Sequence, residues 1–204
     1  KKIGISAFYD CKIVKLVIPP TVEKVCKYAF GKCKLSYIDI NNNKTKIVEG
    51  SFSGCINVTF SDKITMIPEK LFDDCSNLKS IVIPSSVTSI ESNAFRNCIY
   101  LENIVIPSSV KSIRKNAFES CKSLTKIVIP SSVEYIDDYV FYKCESLSHV
   151  SLPDSVYAIG SCAFSGCSLL KEIEIPLSVV LIGSFAFESC KSLSKIDIPP
   201  GEKK

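Results

Sequence analysis

The 204-residue chain has a single histidine, His149, and no two of its eleven cysteines stand in a Cys-x-x-Cys spacing. Zinc needs four converging ligands, usually close Cys or His pairs, so this scarcity argues against a metal centre. It also weighs against histidine-dependent catalysis. A nucleophile needs a base, and the base needs an orienting partner. Glu145, Ser148 and Ser151 near His149 are residues that any polar surface carries. No Gly-x-Ser-x-Gly, P-loop or dinucleotide fingerprint occurs. The expectation is a non-enzyme without cofactor, with His149 as an exposed surface or binding residue. No apolar run approaches the roughly 20 residues of a membrane-spanning helix, so membrane insertion is not expected. Charge of one sign is lacking too: 25 basic and 21 acidic residues leave +4, of which the two terminal lysine pairs supply four. The lysines are scattered among Glu and Asp and do not form the basic stripe with stacking aromatics of a nucleic-acid binder.

What the chain does have is a period. Nine phenylalanines (Phe8, Phe30, Phe52, Phe72, Phe95, Phe118, Phe141, Phe164 and Phe187) are each followed three residues later by a cysteine. The last five steps are 23 residues, the earlier ones 22, 22 and 20. A period in the twenties marks a solenoid, in which no single coil buries its apolar side and the core exists only by stacking. The clearest copies start at Leu78, Leu101 and Leu124 and read L-x-x-I-V-I-P-S-S-V-x-x-I-x-x-x-x-F-x-x-C, with Ala before most of the phenylalanines. Ile81-Val82-Ile83 and its counterparts are short, β-branched and closed by proline, which is a strand signature. Ser-Ser then turns the chain. Val87 and Ile90 anchor a second extended segment or short strand. The A-F-x-x-C-x-x-L stretch, with apolar spacings of 3 and 4, suits a helical or 3₁₀ turn. Nine parallel coils about 4.8 Å apart give a curved rod of roughly 40 Å.

This pattern resembles the BspA-like class of leucine-rich repeats over nearly the whole chain, from Ile3 to Ile198. The resemblance implies a right-handed solenoid with a parallel sheet on its concave face. It also implies recognition or adhesion, at the surface of bacteria or parasitic protists, with no catalytic residues. Two departures stand out. Asn41-Asn42-Asn43-Lys44 replaces the Pro-Ser-Ser-Val turn, and the step from Phe52 to Phe72 is three residues short, between Cys55 and Val58-Thr59-Phe60. Coils two to four are therefore expected to be the least regular. Residues 1–204 read as one domain, a fragment opening and closing within coils and lacking polar caps.

Nine of the cysteines hold one repeat position and should stack inside the rod as small hydrophobes. Their Cβ atoms, about 4.8 Å apart, sit wider than the 3.5–4.5 Å a disulfide prefers. Cys26 and Cys162 lie off that column and are expected to be the exposed thiols.

Strand residues alternate, so with Ile81 and Ile83 inward Val82 points out. The outward column runs Val17, Asp39, Thr59, Val82, Val105, Val128, Ser151, Glu174, Asp197. Beside it run Lys15, Tyr37, Asn57, Ser80, Asn103, Lys126, His149, Glu172 and Lys195. These positions vary along the chain where the core columns do not. Val82, Val105 and Val128, with the polar neighbours Asn103, Lys126, His149, Ser151, Glu172 and Glu174, form the candidate surface for a protein or peptide ligand. The plain alternative is that valine simply suits a strand. Two sequons, at Asn43 and Asn57, would matter only in a eukaryotic secretory pathway. The leading expectation is an adhesin or host-interaction module, at the cell surface or secreted. An intracellular scaffold and an end-to-end assembling rod are the other readings.

Overall fold

The computed structural model describes residues 1–40 and 44–198. The Asn41-Asn42-Asn43 turn, the Asn43 sequon and the Pro199-Pro200 end lie outside the described residues. The chain winds as a solenoid through about eight full turns and not the nine coils expected, because nine column phenylalanines enclose eight steps, and every strand pairs parallel. Each turn crosses two faces. Numbered in chain order, the strands of the longer-stranded face are β2 (Lys15–Ile18), β4 (Tyr37–Ile40), β6 (Asn57–Phe60), β8 (Ser80–Ile81), β11 (Lys126–Val128), β13 (His149–Ser151), β15 (Glu172–Glu174) and β17 (Lys195–Asp197). A Val82–Val105 bridge continues that face between β8 and β11. Two-residue strands make the second face: β1 (Lys2–Ile3), β3 (Lys24–Val25), β5 (Lys46–Ile47), β7 (Met66–Ile67), β9 (Ser89–Ile90), β10 (Ser112–Ile113), β12 (Tyr135–Ile136), β14 (Ala158–Ile159) and β16 (Leu181–Ile182).

The expected helical or 3₁₀ segment is absent from the described residues, and the reason is a pair of left-handed residues. Asn93 and Asn97 flank Phe95 at φ 58° and 59°, and Asn116 and Ser120 flank Phe118 at 59° and 58°. The same pair brackets the other phenylalanines of the repeat column, Gly54 being the exception. A right-handed helix cannot absorb two such residues four apart. The amides alternate instead. Ala94, Arg96 and Cys98 donate within the coil to Glu91, Asn93 and Phe95, while Phe95 and Asn97 donate at 2.8 Å to Ala117 and Glu119 of the next coil. These are successive β-turns, and those closed by Ala94 and Cys98 carry positive φ at the third position, Asn93 and Asn97. Turns share the apolar spacing of 3 and 4 that a helix shows.

Coils are stapled by side chains as well. The second serine of each Pro-Ser-Ser-Val turn donates to a carbonyl of the coil before, as Ser86 to Ile64 (2.6 Å) and Ser109 to Val87 (2.7 Å). In the core the phenylalanines stack face to face, with centroids 5.2 Å apart for Phe95 and Phe118 and 5.6 Å for Phe118 and Phe141. The three-residue deletion has a visible result. Phe30 stacks on Phe52 and Phe72 on Phe95, but among the described residues no stack joins Phe52 to Phe72, and Phe60 tilts against Phe72 instead.

The cysteine column is internal, and it does more than fill space. Cys98, Cys121, Cys144 and Cys167 are fully buried, and each thiol donates to the carbonyl of a phenylalanine in the coil before, at 3.1–3.3 Å. Burial pushes these thiols up, Cys55 to about 12. The exposed thiol is Cys11, in the first coil. Cys26 and Cys162, expected to be exposed, are buried. Leaving the column does not bring them to solvent, because neighbouring coils close over the turn corner: Ser51 bonds the Cys26 carbonyl and the Tyr139 side chain reaches Cys162. A thiolate-directed alkylating reagent at neutral pH should therefore modify the native protein at Cys11 first, with Cys190 slower. All eleven sites should react in denaturant, and mass spectrometry of native digests checks the order.

Candidate binding surface

The alternation of the long-stranded face is set by burial. Ile81, Ile83, Ile104, Ile106, Ile127 and Ile129 point into the core, leaving Val82, Val105 and Val128 outside at 67%, 79% and 61% exposure. Proline closes most of these strands and ends the ladder there, with Asn41 and Ser61 in its place after β4 and β6. Register then brings the candidate residues together. Val82 bridges Val105, Lys126 pairs with His149, and Val128 pairs with Ser151. Further along, Glu172 faces Lys195 and Glu174 faces Asp197. Asn103, Lys126, His149, Ser151, Glu172 and Glu174 are all exposed.

One row differs from the sequence expectation. Val17 lies beside Asp39, but Thr59 lies beside Tyr37 and not Asp39. The third strand is thus displaced by two residues, which keeps the same face outward. From Asn57, opposite Ser80, the row runs on as expected.

The acidic end of the face is concave. An open cleft of about 830 Å³ is lined by His149, Ser151, Glu172, Glu174, Lys195 and Asp197, with Asp154 and Leu177 at its edge. Lys195 and Asp197 form an exposed ion pair at 3.3 Å. Asp154 and Leu177 were not among the residues singled out from sequence. Their signal lay in the turns, where Pro-Asp-Ser-Val and Pro-Leu-Ser-Val replace Pro-Ser-Ser-Val. The Ser148 hydroxyl is engaged with the Thr125 carbonyl at 3.2 Å. Among the described residues no three His, Cys, Asp or Glu side chains converge as metal ligands, and no helix is long and apolar enough to cross a membrane.

The sequence model of the BspA type leucine rich repeat region matches residues 1–125 and 111–204, in six copies. The chain belongs to the BspA-type leucine-rich repeat family. Leucine-rich repeats are a non-enzymatic type of scaffold. A leucine rich cell surface protein of Faecalibacterium prausnitzii A2-165 is similar in structure, at TM-score 0.68 and 33% identity, over 91% of this chain and 47% of that one. The leucine-rich repeat chain therefore spans about half the length of that protein. The leucine rich repeat protein of T. pallidum is similar at TM-score 0.67 and 26% identity, over 89% of this chain and 78% of its own. No curated protein matches significantly.

Proposed function

We propose that this leucine-rich repeat chain is a protein-binding module of a cell-surface protein, engaging an extracellular protein or peptide across its long-stranded face. The observation that carries the reading is the column of Val82, Val105 and Val128. Three large apolar side chains stand more than half exposed in adjacent coils, with polar residues on either side. An apolar centre inside a polar rim is the anatomy of a protein contact. The acidic cleft beside it offers charge for orientation and partner choice. Surface location is supported by the similarity to the F. prausnitzii relative, a leucine rich cell surface protein.

The test separates binding from strand propensity. Threonine keeps the β-branched shape while removing the apolar surface. An array of extracellular matrix and host-surface proteins should contain a ligand of the native chain whose affinity falls about tenfold or more in Val82→Thr/Val105→Thr/Val128→Thr. Thr88→Ala, on the other face, should leave that affinity unchanged. Equal binding by all three proteins removes this face from the reading. Antibody labelling of intact against permeabilised source cells checks the location.

A further inference from the structure

The second face carries an arrangement the partner-binding face does not explain. Its two-residue strands turn their first residue toward the outside, except in β14, where Ala158 is buried. In the sheet formed by β1, β3 and β5 those residues are Lys2, Lys24 and Lys46, and the register places Lys2 beside Lys24 and Lys24 beside Lys46. In the six-stranded sheet that follows, the same position holds Met66, Ser89, Ser112, Tyr135, Ala158 and Leu181, with no charge among them. Every lysine of this position is thus confined to three consecutive coils. The local composition agrees: residues 1–50 hold ten lysines and four acids, net +6, whereas the rest of the chain holds 15 basic and 17 acidic residues, net −2.

Three ammonium groups on adjacent parallel strands, about 4.8 Å apart per step, repel one another, and like charges directly opposite destabilise a sheet. Elsewhere on the rod lysines are matched across coils, as Lys27 with Glu49 at 3.3 Å and Lys122 with Glu145 at 2.8 Å. Among the described residues none of Lys2, Lys24 or Lys46 has a carboxylate within 4.0 Å. The nearest acid in sequence, Glu23, lies 3.7 Å from the chain's amino group.

We propose that this lysine ladder binds a sulfated polysaccharide lying along the rod axis. A single small anion cannot meet three charges in a row, whereas a linear polyanion can meet all of them at once. Lysine offers a point charge without the fixed fork of arginine, which suits a repeating anionic chain held by charge and not by bidentate geometry. A polysaccharide with one carboxylate per disaccharide spaces its charges more widely than the ladder does, so the denser sulfated class fits better. Single-stranded nucleic acid is disfavoured for want of free stacking surfaces. The tyrosines of these coils already carry lysine ammoniums over their rings: Lys15 over Tyr37, Lys27 over Tyr28 and Lys32 over Tyr9.

The test uses heparin as probe at about 0.15 M salt, where exposed charges more than about 8 Å apart are screened. The native chain should bind, and Lys2→Gln/Lys24→Gln/Lys46→Gln should lose affinity by about tenfold or more. Lys79→Gln/Lys122→Gln/Lys171→Gln, with the same change in net charge, should lose less than about threefold. The triple Lys→Arg variant of the ladder should retain binding, separating charge from any disturbance of the fold. Failure of the native chain to bind, equal losses in both Gln triples, binding of hyaluronan as tight as heparin, or equal binding of DNA would each overturn the proposal.

Discussion

Phe118→Ala should destabilise the rod by about 3–5 kcal/mol, the usual cost of emptying a buried aromatic site. Phe118 is fully buried, and its ring lies 4° from parallel with both Phe95 and Phe141. Removing it interrupts two stacks at once, and each aromatic pair is worth about 0.5–1.5 kcal/mol beyond its buried area. Collapse cannot relieve the cavity, because the hydrogen bonds from Phe118 to Val140 and from Cys144 to Phe118 hold the adjoining coils at their spacing. Thermal unfolding should fall by about 6–20 °C for a chain of this size. Lys111→Ala, on the exposed side of the same coil, should change stability by less than about 0.5 kcal/mol. Urea titration of the two variants decides the matter, and equal losses would contradict the core assignment.

Arg96→Ala should be as damaging, by a different route. The Asp73 side chain is wholly buried and accepts from Arg96 Nε at 2.8 Å and Nη2 at 3.0 Å, tying the fourth coil to the fifth. Deleting the guanidinium leaves a carboxylate buried without its counter-charge, at a cost of about 3–5 kcal/mol. Burial holds the Asp73 carboxyl above its ordinary 3.8, with Arg96 pulling the other way. The folded state therefore keeps this proton more tightly than the unfolded chain does, and the Asp73 contribution declines as pH rises through the carboxylate range. Without Arg96 the carboxyl moves further up. The deficit of the variant should accordingly be larger at pH 7 than near pH 4, where the buried group can take a proton. Asp73→Asn combined with Arg96→Ala should recover most of the loss, since both charges then go together. A deficit independent of pH would mean that lost packing by the arginine stem dominates.

The columns of this solenoid were legible in the sequence because each is repeated: Phe, Cys, Leu and the strand isoleucines return at one spacing and cannot all be coincidence. The outward valines were legible for the same reason, as the alternates of those isoleucines. The turn segment was not. Apolar residues at spacings of 3 and 4 fit helix and successive turns alike, and what decides between them is positive φ beside each phenylalanine. Asn93, Asn97, Asn116 and Gly166 hint at it, being residues that tolerate that conformation. Tyr28, Tyr139 and Phe185, which occupy the same positions, conceal it. The row that places Thr59 beside Tyr37 escaped because the missing residues were set between Cys55 and Val58. Tyr37 and Thr59 each stand four residues after a column cysteine, so relative to β4 nothing is missing there. Cys26 and Cys162 escaped because position off a column says nothing about what covers it. The lysine ladder was hidden for a related reason: residues 22 apart look scattered until register sets them side by side.

The donating thiols bear on how such a chain survives a change of surroundings. A sulfur buried, protonated and committed to a carbonyl is not an available nucleophile. Its covalent state is then indifferent to whether glutathione or oxygen lies outside. A polypeptide synthesised under reducing conditions and later displayed under oxidising ones would keep one and the same bonding pattern, needing no oxidase to mature it and no reductase to rescue it. Cys11, and more slowly the half-buried Cys190, would register the passage.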